Sequence, residues 1–120
     1  MIALPTTRNT PGYDVIVVSP NGLRHANIQV KTSLQKNVRM WPCDHPDKAH
    51  AGPNDYYVLV KCADRFFEAF MLTGKEAKQA LKKAQHHVLS RNKVFKIPML
   101  CLRYGNPDAW KRRWENWTLD

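Results

Sequence analysis

Three side chains in the first third of the chain are of types that handle phosphate esters: Asp14, Gln29 and Lys31. A carboxylate and an amide carbonyl are hard oxygen donors for a divalent cation, and an amine can orient water or balance negative charge. They lie on two runs of strand-forming residues, "YDVIVVS" (13–19) and "RHANIQVKT" (24–32). Asn21-Gly22 between the runs is a strong hairpin signal. A two-residue turn there pairs Pro20 with Leu23, which puts Asp14 directly opposite Gln29. Strand side chains alternate with period two, so Lys31 shares the face of Gln29. A register slip of one residue would divide the cluster between two faces.

The chemistry suited to such a cluster is metal-assisted phosphodiester hydrolysis. Mg²⁺ or Mn²⁺ would be held by the Asp14 carboxylate, the Gln29 side-chain carbonyl and the backbone carbonyl of Val30, with Lys31 beside the attacking water. The same residues also suit a plain surface ion pair between Asp14 and Lys31 next to a polar amide.

The elements that must position them follow from local pattern. The apolar run in 13–19 predicts a strand covered on both faces, and 24–32 is its returning partner. "VRMW" (38–41) suggests a short strand, and residues 42–55, with three prolines, a loop. "YYVLVK" (56–61) and "FFEAFML" (66–72) predict two more strands joined at Ala63-Asp64. Thr73-Gly74-Lys75-Glu76 fits a capping box. Beyond it Ala77, Ala80, Leu81, Ala84 and Val88 share one helical face, and Lys75, Lys78, Lys82 and His86 another. A further strand is expected within 94–102. Asn106-Pro107 opens a last helix on which Trp110, Trp114 and Trp117 have core spacing. Strands first and helices after predict one domain over residues 1–120, of α/β (α+β) class, with a mixed β-sheet and a central hairpin flanked by helices.

Charge narrows the partner. Nineteen Lys and Arg against ten Asp and Glu give a net +9. No acidic residue falls between Glu76 and Asp108, an interval that holds Lys78, Lys82, Lys83, Arg91 and Lys93. Such a block favours a polyanion, and DNA is the expected partner. Lys75, Lys78, Lys82, Lys83, Arg91, Lys93 and Arg8, in the loop entering the site, are the candidate phosphate contacts. The Lys111-Arg112-Arg113 run reads as exposed, either touching phosphates or solvating its helix. There is no long apolar run and no signal-like segment, which predicts a cytoplasmic chain that does not span a membrane. Cys43, Cys62 and Cys101 are odd in number and read as reduced thiols. The "CDHPDKAH" loop has metal-ligand residue types, but its spacing matches no standard zinc frame. A domain of this size often gains stability from a partner, and a homo-oligomer is expected.

"NTPGYDVIV … NIQVKTS" resembles the PD-(D/E)XK nuclease superfamily, in the small branch similar to intron-encoded homing endonucleases and Holliday-junction-resolvase-like proteins. That branch often carries Gln-x-Lys where other members have a second acid. The resemblance implies a restriction-endonuclease-like core, with Asp14 as first acid, Gln29 at the acid/amide position and Lys31 as the lysine. The family's usual glutamate-bearing helix ahead of the first strand has no counterpart before "YDVIVV". The resemblance is therefore compatible with a Mg²⁺-dependent endonuclease, with a non-catalytic nucleic-acid-binding module, or with a protein-interaction module that docks a partner on its sheet.

Overall fold

The residues that alternate around Gln29 form the middle strand of a five-stranded sheet. The computed structural model describes the backbone of residues 2–5, 14–90 and 98–119, and the side chains of 14–86 and 98–119. The chain runs through β1 (Ile2–Pro5), β2 (Val15–Val18), β3 (His25–Ser33), β4 (Met40–Pro42), β5 (Asp55–Ala63), β6 (Phe66–Thr73), α1 (Gly74–Ser90), β7 (Met99–Cys101) and α2 (Pro107–Asn116). The main sheet has the order β1-β2-β3-β5-β6, and β4 pairs with β7 in a separate ribbon. Only β3 and β5 are parallel, and every other pair is antiparallel. The fold is the mixed-sheet α+β architecture expected from the order of local signals. Among the described residues no helix is long and apolar enough to cross a membrane.

The β2–β3 register is the expected one, with Val15 opposite Ile28 and Val18 opposite His25. Its turn differs. Ser19 N–H donates to the Arg24 carbonyl at 2.9 Å and Gly22 N–H to the Ser19 carbonyl at 2.9 Å, so the loop is Pro20–Leu23. Proline has no N–H with which to close a pair against Leu23, which excludes the two-residue turn. One residue added on each side leaves the register unchanged. Gly22, at φ 72°, takes the left-handed position. The β5–β6 turn is likewise one residue later than expected: Ala63 pairs with Phe66, and the loop is Asp64-Arg65. Asp64 sits at φ 53°, a conformation that aspartate tolerates better than most residues. The apolar start of the chain supplies β1, an additional strand with Ile2 opposite Val18.

One face of the sheet meets helix α1. Ala77, Ala80, Leu81 and Ala84 of α1 are buried, and the first three join a core with Tyr57, Leu59, Phe70 and Leu72. The side chain of Val88 lies outside the described residues. Helix α2 runs beside β6, the outer strand, and straddles the sheet edge. Trp110 enters the α1-side core, while Trp117 and Leu119 reach the opposite core around Val17, Ile28, Val58 and Met71. Arg113 Nη1 donates to the Met71 carbonyl at 3.0 Å, occupying an acceptor on that edge. Trp110 packs so tightly on Gly105 that a Cβ there would overlap the indole. Core spacing thus identifies Trp110, 2% exposed, but not Trp114, which is 41% exposed beside Phe67. Past these aromatics the described residues leave a groove of about 420 Å³ on the apolar face, floored by Val15, Val30, Val58 and Val60.

Candidate functional site

Asp14 leaves the ladder just before β2 begins. Its N–H donates to the Ile28 carbonyl at 3.0 Å, although Ile28 is the partner of Val15. Two successive residues therefore address one, as at a β-bulge. The carboxylate does not stand simply opposite Gln29, as regular pairing predicts. Its Oδ2 accepts the Val30 N–H at 2.8 Å, taking the place that a carbonyl of a longer β2 would fill. The N–H and C=O of a strand residue point to the same edge, so the Val30 carbonyl also faces the side where β2 has ended.

Gln29 is half-buried, and among the described residues its buried Oε1 has no hydrogen-bond partner. In the parallel ladder Gln29 lies beside Tyr57, and Lys31, also half-buried, beside Leu59. Tyr57 is fully buried, and its hydroxyl accepts the His50 N–H at 3.1 Å. Burial pushes its phenol up to about 12, so it stays protonated at neutral pH. Burial also raises the Cys43 thiol, opposed by the Asp44 backbone hydrogen bond and by the charge of Lys31. That places the start of the 43–51 loop near Lys31. Tyr57 was missed from sequence because "NDYYVLV" reads only as a strand; the parallel β3–β5 pairing is what brings it to Gln29.

Among the described residues no three His, Cys, Asp or Glu side chains converge in a way that would hold a metal. The 43–51 loop instead docks on α1: the His45 ring contacts Gln85 at 3.1 Å and lies 3.6 Å from Asp47. Cys43, Cys62 and Cys101 are free thiols. The available metal donors at β2–β3 are oxygens only, from Asp14, Gln29 and the Val30 backbone.

Lys75, Lys82 and Lys83 are exposed on α1 and Lys78 is half-buried. Lys75, Lys78 and Lys82 line a cleft of about 330 Å³ with Ala51 and Gln79. Asp14, Gln29 and Lys31 are not in the lining of this cleft. Arg8, Arg91 and Lys93 lie outside the described residues. In the Lys111-Arg112-Arg113 run Lys111 and Arg112 are exposed as expected and Arg113 is half-buried; Lys111 pairs with Glu68 at 2.9 Å and Arg113 with Glu76. No family model, curated protein or solved structure matches the chain. The functional reading therefore rests on the chemistry of the site.

Proposed function

We propose that the chain is a DNA-binding, metal-dependent endonuclease-like protein that hydrolyses phosphodiester bonds, of the PD-(D/E)XK kind. The observation that carries the reading is the buried Gln29 Oε1, without a hydrogen-bond partner among the described residues and adjacent in sequence to the Val30 N–H that holds the Asp14 carboxylate. A buried amide oxygen without a donor is costly to the fold and suits a ligand. The oxygen donors fit Mg²⁺ or Mn²⁺, with Asp14, Gln29 and the Val30 carbonyl as the holding groups. A bound divalent ion would supply Lewis-acid charge at the phosphate and a more acidic water. Lys31, two residues beyond Gln29 on the same face, orients the water and offsets charge that develops on the phosphate. The α1 lysines hold the DNA backbone at a distance from the reacting phosphate.

The test is a plasmid-nicking assay with Mg²⁺ or Mn²⁺ on wild type, Asp14→Ala and Lys31→Ala. Metal-dependent nicking that disappears in both variants is expected, and nicking unchanged in both would remove the assignment. A second reading, a non-catalytic nucleic-acid-binding module, is favoured by the single carboxylate of the donor set, which gives a site poor in negative charge. It predicts salt-sensitive DNA binding with no turnover under any metal.

A further inference from the structure

Strand β3 does not end at the proposed reaction centre. Two residues past Lys31 it passes into the turn 34–39, "LQKNVR", whose polar side chains are all on the outside. Gln35, Lys36, Asn37 and Arg39 are exposed, while Val38, 9% exposed, is sunk into the core cluster that includes Trp41. The backbone is held at both ends. Gln35 N–H donates to Ser33 Oγ at 3.2 Å, Val38 N–H to the Gln35 carbonyl at 3.3 Å, and Leu102 N–H to the Arg39 carbonyl at 3.0 Å. Beside the turn is a groove of about 540 Å³ whose lining includes Thr32, Ser33, Gln35, Asn37 and Arg39.

We infer that this turn reads base edges in the major groove of duplex DNA, with Gln35, Asn37 and Arg39 as the specificity-determining side chains. The inference rests on the DNA-binding half of the function proposed above. Glutamine and asparagine present a donor and an acceptor in one plane, matching adenine N6 and N7, and arginine matches guanine O6 and N7. Single strands are bound largely by stacking on aromatic rings. The turn carries no aromatic residue, and Trp41 in the groove lining is only 1% exposed. The major groove of A-form RNA is too narrow for side chains to read, which leaves B-form DNA. Ser33 lies about 7 Å along the strand from Lys31. The turn therefore falls about two to four base-pair steps from the phosphate that Lys31 would face.

The experiment is selection of bound duplexes from a randomised pool by the full chain, followed by affinities for the enriched and the random duplex at one salt concentration. Wild type should enrich a short motif and prefer it about tenfold or more. The triple variant Gln35→Ala/Asn37→Ala/Arg39→Ala should lose that preference yet bind random duplex within about fivefold of wild type, since only one cation is lost. Its circular dichroism melt should match wild type, because all three side chains are exposed. Lys36→Ala should weaken both duplexes equally. Random-duplex binding by wild type with no enriched motif would overturn the inference while sparing the DNA-binding reading, and so would a motif that survives in the triple variant. Failure of wild type to bind any duplex at low salt would overturn both.

Discussion

A buried oxygen without a donor is a liability to a small domain, and among the described residues Gln29 carries one in the middle of its sheet. Leaving such a group unpaired costs about 1–3 kcal/mol. An unbranched apolar residue of similar size, as in Gln29→Met, removes the unpaired oxygen and keeps the volume. The expected outcome is an unfolding free energy raised by about 1 kcal/mol together with loss of metal-dependent nicking. A substitution that destabilises instead would mean that the amide is there for packing. Tyr57 next to it makes a second prediction. Its phenol, raised by burial to about 12, contributes stability that is complete below the ordinary value of 10 and is lost as pH rises through about 12. Melting curves from pH 9 to 12 should fall more steeply for wild type than for Tyr57→Phe. That variant should also be weaker at neutral pH, because the His50 N–H loses its acceptor.

The junction between β6, α1 and α2 depends on one carboxylate. Glu76 accepts the Thr73 N–H at 2.8 Å and the Trp110 indole N–H at 3.2 Å, and it pairs with Arg113. Thr73 Oγ1 returns the favour to the Glu76 N–H at 3.2 Å, completing the capping box expected from sequence. Burial opposes the charge on Glu76, but the Arg113 guanidinium, the Thr73 N–H and the Trp110 indole outweigh it and hold the carboxyl below its ordinary 4.5. A depressed pKa gives stability that is present above the unfolded value and lost as pH falls through the folded one. The gap in melting temperature between wild type and Glu76→Gln should therefore be widest at neutral pH and close below about pH 4.5. A gap that stays constant with pH would mean that the charge contributes nothing. The helix caps and the hairpin register were legible because a few neighbouring residues decide them. The parallel β3–β5 pairing, the β4–β7 ribbon and the roles of Lys111 and Arg113 were not, because each joins residues far apart in sequence. At Asp14 the strand pattern was readable, but the bulge was not: it depends on a side chain competing with backbone for the Val30 N–H.

Across the molecule, charge and apolar surface occupy different sides. On the face that receives Leu119, the strand residues Val15, Val17, Ala26, Ile28, Val30, Val58 and Val60 are all uncharged. Lys75, Lys78 and Lys82 lie beyond the other face, lining a cleft on α1, in a chain whose net charge is +9. A polyanion approaching this surface meets α1 before it meets the strands, so the helix should govern affinity and the β2–β3 end should govern what happens to the DNA. Counterion release makes that separable. Each phosphate neutralised adds about 0.9 to the slope of log affinity against log salt for duplex DNA. Replacing Lys75, Lys78 and Lys82 by Gln should reduce the slope by about 2–3 and weaken all sequences alike. The helix should survive, because glutamine is nearly as good a helix former as lysine and none of the three is a core residue. Asp14→Ala should leave the slope negative and at least as steep, since it removes a negative charge and no phosphate contact. A slope unchanged by the lysine substitutions would show that the basic face of α1 serves solvation alone and that DNA, if bound, is held elsewhere.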